Sequence, residues 1–255
     1  MVAAQTRDEQ WMQCYDTSPD VSISSCTALI ESGFEPPENL ARAFYYRGVA
    51  ELRQGDDERA LADFDQTVKL TPTNASAFAN LGVIYARKGD HDRAIQQFNE
   101  AIRLMPGYTS AFLNRALTYG RKGDHDRAIA DFDQAIRLDP TNAAAFTNRG
   151  FAYESKGDRD RAIADFDESV RLAPDNAVAF SNRGLIYFKK GDHDRAIADW
   201  DAALTIDPKR ASSLYSRGVA KRLKGDVVGG DADMAAAKKL QANIDEEMAT
   251  IGVKP

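Results

Sequence analysis

Apolar residues recur along this chain with a constant period of 34 residues. One series consists of Phe44, Phe78, Phe112, Phe146 and Phe180, with Leu214 in the next place. A second series consists of Phe64, Phe98, Phe132, Phe166, Trp200 and Met234, and a third of Pro72, Pro106, Pro140, Pro174 and Pro208. A period of this length predicts a solenoid, in which each unit buries its apolar face against its neighbours.

The pattern within each unit predicts two helices. We count places from the first residue of a unit, such as Ala143. The first helix then carries Phe at place 4, Gly or Ala at place 8 and usually Tyr at place 11, all on one helical face. A glycine at place 15 ends this helix, and an aspartate at place 16 caps the next one. The second helix has its own face, with Ala at place 20 and an aromatic residue at place 24.

The period also predicts where the units begin and end. The regular units span residues 41–74, 75–108, 109–142, 143–176 and 177–210. Residues 1–40 form an imperfect leading hairpin, in which Cys26 takes the place of Phe132. Residues 211–242 form a degenerate sixth unit, where Gly229 and Gly230 are expected to weaken the start of the second helix. Residues 243–255 form a capping helix and tail.

The order of a large residue, Gly, Tyr, Ala, a large residue, Ala and Pro at these places resembles the tetratricopeptide repeat. The resemblance implies an all-α fold, a right-handed α-solenoid of stacked antiparallel helix pairs with a concave groove. It also implies that places 2, 5, 6, 9, 12 and 13 of each first helix line this groove. The departures from the family pattern are Glu51 in place of Tyr and the degenerate sixth unit.

The composition lacks the signature of a nucleic-acid or membrane protein. Apolar residues make up 43% and charged residues 28% of the chain, and the net charge is −6. Proteins that bind nucleic acids normally carry a basic face. No apolar run approaches the roughly 20 residues of a spanning helix. We therefore expect neither nucleic-acid binding nor membrane insertion.

Arginine at place 7 and aspartate at place 23 occur together and disappear together. The pairs are Arg47 and Asp63, Arg115 and Asp131, Arg149 and Asp165, Arg183 and Asp199, and Arg217 and Asp233. The second unit has Leu81 and Gln97 at these places instead. We interpret the pattern as a partly buried ion pair between the two helices of a unit. Duplication of the units alone would also copy both residues without any contact.

Asparagine occupies place 6 in four consecutive units, as Asn80, Asn114, Asn148 and Asn182. The resemblance puts this place in the groove. Because an amide side chain both donates and accepts hydrogen bonds, it suits a peptide backbone. The alternative is that each asparagine bonds a neighbouring helix or water.

Basic residues at place 13 predict a basic edge along the groove. They are Arg53, Arg87, Arg121 and Lys189. Chaperone-binding members of the family use a basic clamp for a C-terminal carboxylate. Place 5 contains no lysine in this chain, which disfavours a chaperone co-factor role.

The chemistry-bearing residues do not form a catalytic or metal-binding set. His91, His125 and His193 recur in equivalent turns, too far apart for one metal ion, so we expect surface residues and no metal or cofactor. Aspartate pairs recur in nearly every unit, whereas an active site needs one unlike, converging set. We expect the second aspartate of each pair, such as Asp133 or Asp167, to be solvated. The chain is therefore predicted not to be an enzyme.

Two cysteines, Cys14 and Cys26, lie in the leading hairpin. The run CYDTSPDVSISSCTALIESG resembles the N-terminal segment of many exported bacterial tetratricopeptide repeat proteins, and this resemblance implies a disulfide. Two reduced thiols, with Cys26 as a small buried hydrophobe, are the alternative. Small residues within Met1–Gln5 also suit the end of a cleaved signal peptide. We expect a periplasmic or secreted protein, with a cytoplasmic one as the alternative.

Two functions are compatible with these features. The first is a non-enzymatic scaffold that binds a protein partner, holding its extended peptide or helix in the concave groove. The alternative is a structural scaffold that assembles with copies of itself.

Overall fold

Helices alone build the part of the chain that the structure describes. The structure is a computed structural model and describes residues 6–254, which form fifteen helices and no strand. The expectation about a signal-cleavage site within Met1–Gln5 concerns residues outside this range. The predicted all-α solenoid is confirmed. The chain divides into two compact units after Asp124, and each is described by itself.

The N-terminal unit contains seven helices. They are α1 (Arg7–Cys14), α2 (Pro19–Glu31), α3 (Pro37–Gln54), α4 (Asp57–Leu70), α5 (Ala75–Arg87), α6 (His91–Leu104) and α7 (Thr109–Arg121). Each packs on the next: α1 on α2, α2 on α3, α3 on α4 and onward to α7. In addition, α5 contacts α7, so the first helices of neighbouring pairs form a layer.

The C-terminal unit contains eight helices. They are α8 (His125–Leu138), α9 (Ala143–Ser155), α10 (Arg159–Leu172), α11 (Ala177–Lys189), α12 (His193–Ile206), α13 (Ala211–Leu223), α14 (Val227–Leu240) and α15 (Ile244–Thr250). Here too consecutive helices pack on each other, and α11 contacts α13. The short helix α15 closes the unit, because Ile244 and Met248 join Tyr215 and Val219 in a buried cluster.

Small residues on the first helix let the second helix approach closely. The ring of Phe98 packs so tightly on Gly82 that a Cβ there would lie 2.6 Å from it. Ala60, Ala94 and Ala162 on the second helices are fully buried. The predicted caps are also present, since the side chains of Asp56 and the equivalent Asp90, Asp158, Asp192 and Asp226 accept a backbone N–H in the first turn of the following helix.

The last helix pair is packed differently from the regular ones. Its second helix, α14, begins at Val227 directly after the cap Asp226, at the same place of the repeat as in the regular pairs. Gly230 permits a backbone contact, since a Cβ built on it would lie 2.6 Å from the carbonyl oxygen of Gly218. The missing side chain replaces the aromatic-on-glycine packing of the regular pairs with a closer approach of two backbones.

Among residues 6–254, no helix combines the length and apolar character that crossing a membrane requires.

Candidate functional site

The candidate site is the exposed side of the first helices, which we call the first-helix face. In the N-terminal unit it is the side of α3, α5 and α7 that carries Tyr46, Asn80 and Asn114 at place 6. In the C-terminal unit it is the side of α9 and α11 that carries Asn148 and Asn182. All five side chains are half-buried, so they combine an ordered environment with access to solvent.

The repeated arginines lie between three helices. Arg149 on α9 makes two hydrogen bonds to Asp165 on α10, of 2.9 and 2.6 Å, and a third of 2.5 Å to Asp133 on α8. The same three contacts recur for Arg183 with Asp199 and Asp167, and for Arg217 with Asp233 and Asp201. Each arginine therefore fastens its own helix pair and also attaches that pair to the preceding helix.

The N-terminal unit has the same link at its start. Arg47 donates two hydrogen bonds to Asp63, of 2.7 and 2.8 Å, and one of 3.0 Å to the hydroxyl of Thr27 on α2. Thr27 thus takes the part that Asp133 plays for Arg149. Elsewhere in this unit, Arg115 on α7 donates a hydrogen bond of 2.6 Å to Asn99. Asp131, its predicted partner, is buried on α8 of the C-terminal unit.

The second aspartate of each pair is not simply solvated, which corrects the sequence prediction. Asp133 and Asp167 are about half exposed, yet each accepts a hydrogen bond from the arginine of the following helix pair. The first aspartates are deeply buried, and burial raises the pKa of Asp165 and Asp199 although the arginine hydrogen bonds oppose this shift. These four carboxylates are engaged in ion pairs with Arg149 and Arg183.

A second set of ion pairs was missed by the sequence reasoning. A lysine at place 14 of one 34-residue repeat pairs with an acidic residue at place 18 of the preceding repeat. The pairs are Lys88 with Glu58, Lys122 with Asp92, Lys156 with Asp126, Lys190 with Asp160, and Lys224 with Asp194. The signal was available as a constant separation of 30 residues. These pairs are exposed, so each contributes little stability. They do mean that the lysines and acidic residues at the turns already have ion-pair partners within the chain.

The asparagines at place 6 differ from these charged residues because the fold leaves part of their hydrogen-bonding capacity unused. The Asn182 amide nitrogen is enclosed and has no hydrogen-bond partner within residues 6–254. Asn148 donates only to Ala144, one turn back on its own helix, at 2.8 Å. Asn80 lies beside the hydroxyl of Tyr45. Asn114 opens into a pocket on the first-helix face.

Two of the four residues of the predicted basic edge are paired with carboxylates. The Arg87 guanidinium lies 3.0 Å from the Asp57 carboxylate, and the Lys189 ammonium lies 2.6 Å from that of Glu154. Arg53 points to the carbonyl oxygen of Thr17, 3.5 Å away. Of the four, only Arg121 has neither a carboxylate partner nor a hydrogen bond to a backbone carbonyl within the described chain. Among the described residues of this edge, positive charge without a carboxylate partner therefore remains at Arg53 on α3 and Arg121 on α7.

An aromatic cluster extends the face at the start of the N-terminal unit. The rings of Tyr46 and Tyr15 are tilted by 60° to each other with centroids 4.5 Å apart, and the ring of Trp11 lies 5.5 Å from that of Tyr15. The Arg42 guanidinium covers both Trp11 and Tyr15 at 5.6 and 5.5 Å. Place 6 therefore changes from an aromatic ring on α3 to amides on α5 and α7.

Glu51 on α3 is a buried acid at place 11, where most repeats have a tyrosine. It is 4% exposed, and its Oε2 atom has no hydrogen-bond partner among the described residues. Burial, followed by the nearby Asp63 carboxylate, raises the pKa of Glu51 to about 7. Sequence reasoning noted the missing Tyr at place 11 but did not anticipate a buried acid.

The cysteines and histidines complete the predicted residues. Cys14 and Cys26 form a disulfide that joins α1 to α2, with Cα atoms 4.7 Å apart. His91, His125 and His193 each begin a second helix and are half-buried, which differs from the exposed turn positions expected. Within residues 6–254, no three His, Cys, Asp or Glu side chains come together as a metal site.

Comparison with protein families agrees with this architecture. Models of the tetratricopeptide repeat match residues 27–75, 47–109 and 113–177, and a further repeat model matches residues 177–210. No curated protein sequence matches the chain.

Several solved structures share the fold. A tetratricopeptide repeat protein from Parabacteroides merdae is 19% identical, with 96% of each chain covered and a TM-score of 0.70. MamA is 26% identical over 67% of this chain and 97% of its own, with a TM-score of 0.60. YrrB, described as a TPR protein with an unusual peptide-binding site, is 18% identical over 73% of this chain and 97% of its own, with a TM-score of 0.60.

Proposed function

The chain belongs to the tetratricopeptide repeat family of protein–protein interaction scaffolds, and we propose that its first-helix face holds an extended peptide of a protein partner. Family members are typically non-enzymatic scaffolds, and we extend this reading to the present chain. One of the similar structures, YrrB, is described as having a peptide-binding site.

The observation that carries the proposal is the unequal use of polar side chains. The arginines and aspartates of places 7 and 23 bond each other, as Arg149 and Asp165 do. The asparagines of place 6 keep spare donors and acceptors, most clearly Asn148, whose amide makes one exposed hydrogen bond, to the carbonyl oxygen of Ala144 on its own helix. An unmade hydrogen bond on a half-buried group is costly. A peptide backbone, which offers an N–H and a C=O at every residue, would satisfy these amides.

The test starts from a peptide selected on the protein itself. A random dodecapeptide library displayed on phage is selected against the full chain, and the affinity of the best peptide is measured by calorimetry. The double variant Asn148→Ala, Asn182→Ala is expected to weaken this peptide about tenfold or more, because about two hydrogen bonds of ~1 kcal/mol are lost.

The control keeps the C-terminal unit but changes its second-helix side. Thr205 is exposed on α12, and Thr205→Ala should leave the affinity unchanged. Unchanged binding by the asparagine variant, with circular dichroism like that of the parent protein, would refute the proposal.

Self-assembly remains a second candidate because apolar residues are exposed at the last helix pair. Val228 is 83% and Leu223 is 56% exposed around the turn between α13 and α14. Place 18 holds a carboxylate in the regular units, but Val228 stands there in the last one. Exposed apolar patches are typical of interfaces. Light scattering during size-exclusion chromatography, repeated over a hundredfold range of concentration, would reveal a dimer or larger species that Val228→Asp abolishes.

We further propose that the protein works in an oxidising compartment, either periplasmic or secreted. The disulfide between Cys14 and Cys26 supports this, because such bonds persist mainly in oxidising compartments. Fractionation of the producing cells, with the thiols alkylated before lysis, is expected to recover the protein outside the cytoplasm with both cysteines protected. Recovery of the native protein in the cytoplasm with two alkylated thiols would contradict the assignment.

A further inference from the structure

A pocket opens on the first-helix face of the N-terminal unit, which we call the α5–α7 pocket. It has a volume of about 130 Å³ and lies between α5, α6 and α7. Its apolar wall consists of Val83, Ala86, Phe98 and Leu117. Asn114, one of the place-6 asparagines, also lines it. The pocket therefore joins an apolar recess to one of the amides proposed to bind a peptide backbone.

The sequence explains why the space is open here. Ala86 lines the pocket and stands at place 12 of the second repeat, where its side chain is small. Other units fill place 12 with larger side chains, such as Leu52, Glu154 and Phe188.

The volume limits what can enter. A cavity of about 150 Å³ lined by apolar side chains is large enough to hold benzene. The α5–α7 pocket is slightly smaller than this. It therefore suits one aliphatic side chain of the size of leucine, isoleucine or methionine, and it is too small to enclose an indole ring.

The rim of the pocket is charged, and its two arginines differ. Arg87 lies 3.0 Å from the carboxylate of Asp57 and is neutralised by it. Arg121 on the opposite side is exposed and has no carboxylate partner in the described chain. An acidic residue of a ligand would find its complement at Arg121, because a partnerless guanidinium favours a bidentate carboxylate.

We propose that the α5–α7 pocket is the anchor site of the peptide, taking an aliphatic side chain whose neighbouring residue is acidic and pairs with Arg121. This inference rests on the proposed peptide-binding function and specifies its ligand. Asn114 then bonds the backbone of the anchor residue, the apolar wall encloses its side chain, and Arg121 determines the charge beside it.

The experiment uses a defined probe, the hexapeptide Gly-Ser-Leu-Asp-Ser-Gly, titrated into the isotopically labelled full chain and followed by amide chemical shifts. We expect the largest shifts in α5 and α7 around Ala86 and Leu117. Replacing the leucine of the probe by alanine should weaken binding about tenfold, because most of the buried apolar area is lost. Equal affinity of the two hexapeptides would overturn the anchor assignment.

Variants of the protein separate the pocket from its surroundings. Ala86→Phe fills the recess and is expected to abolish the preference for leucine over alanine, whereas Ala86→Ser leaves the space and should retain it. If Ala86→Phe does not fold, Ala86→Leu fills the recess with a smaller side chain and a better helix former. Retention of the preference in a folded, filled variant would rule the pocket out as the anchor site.

Charge reversal tests the rim. Arg121→Glu should reverse the preference of the protein from the Leu-Asp hexapeptide to the matching Leu-Lys hexapeptide, by about tenfold in relative affinity. An unchanged preference would exclude Arg121 as the charge partner. The proposed function is tested separately, because the library-selected peptide can depend on Asn148 and Asn182 even if filling the pocket has no effect. In that case only the anchor assignment fails.

Discussion

The helix pairs α3–α4 and α9–α10 carry the same arginine link but differ at one buried place. In α9, place 11 is Tyr153, and the Arg161 guanidinium lies 4.4 Å from the centre of its ring. In α3, place 11 is Glu51, which is buried with one carboxylate oxygen unpartnered within the described chain. Two helix pairs with the same packing arrangement therefore differ at place 11, where one buries an aromatic ring and the other buries a carboxylate that is unfavourable to bury.

The difference teaches that a repeat can keep its shape while one place changes from a stabilising ring to a titratable acid. Glu51 is surrounded by charges: Arg47 on its own helix, Asp56 in the turn, and Asp63 and Arg59 on α4. Burial, followed by the Asp63 carboxylate, raises its pKa. The pair α3–α4 is therefore expected to respond to pH, whereas α9–α10 has no such group at place 11.

The largest expected effect comes from removing the arginine link. Arg149→Met leaves Asp165 buried without its bidentate partner and should lower the stability of α9–α10 by about 3–5 kcal/mol. Arg47→Met should cost at least as much at pH 8, because both Asp63 and Glu51 lose their common cation. Amide hydrogen exchange, followed peptide by peptide, assigns each loss to its helix pair. A loss below about 1 kcal/mol at both sites would refute the role of the link.

The next largest effect is expected from the disulfide, which is present beside α3–α4 and has no counterpart at α9–α10. The leading hairpin packs on α3, and reduction of the Cys14–Cys26 bond frees a loop of the unfolded chain. We expect Cys14→Ser, Cys26→Ser to lower the stability of the N-terminal unit by about 3 kcal/mol, as the chain-entropy model gives for a loop of this length. Faster hydrogen exchange in α1–α4 but not in α9–α12 is the expected readout. An equal acceleration in both regions would contradict it.

The pH response of Glu51 follows in size. Its pKa rises from an ordinary 4.5 to about 7 in the folded protein, so the native state binds more protons than the unfolded state between these values. The contribution of Glu51 to stability is therefore fully present below pH 4.5 and is lost as the pH rises through about 7, by roughly 2–3 kcal/mol. Hydrogen exchange of α3–α4, corrected for the intrinsic pH dependence, should reveal this loss. Glu51→Gln should remove it, and an unchanged pH profile in that variant would exclude Glu51 as its source.

Exchanging the residues at place 11 should have the smallest effect. Glu51→Tyr gives the first regular pair the residue found in the fourth, and it removes an unsatisfied buried carboxylate. We expect a gain of about 1 kcal/mol at pH 8. Tyr153→Glu in α9 is the converse change and should destabilise its pair. Denaturation at pH 8 measures both, and a loss of stability in Glu51→Tyr would mean that the ring does not fit beside Phe64.

Most of the fold was predictable because the same packing residues recur at the same places in successive repeats. Phe98 opposite Gly82 and Ala94 at the core of α6 follow from periodicity alone. The family resemblance then supplied the arrangement of helices. The exceptions lie where a rule is used once, such as the contact between the Gly218 and Gly230 backbones, since a single glycine pair gives no pattern to recognise.

The site was less predictable, for physical reasons. Arginine at place 7 and aspartate at place 23 occur together in the same repeats, which predicted the link between Arg149 and Asp165. The structure adds that Asp133 of the preceding helix bonds the same guanidinium. That third contact depends on how one pair docks on the next, which spacing within one unit does not specify. Likewise, the pocket beside Ala86 depends on how α5, α6 and α7 pack around that small residue, which the sequence of one repeat does not specify.

The most direct test of the account is hydrogen exchange of the full chain with and without the library-selected dodecapeptide. We predict that the peptide protects amides of the first helices, α5 and α7 in the N-terminal unit and α9 and α11 in the C-terminal unit, and leaves those of the second helices α10 and α12 unchanged. Protection confined to α10 and α12, or to the exposed turn at Val228, would contradict the assignment of the first-helix face as the binding surface.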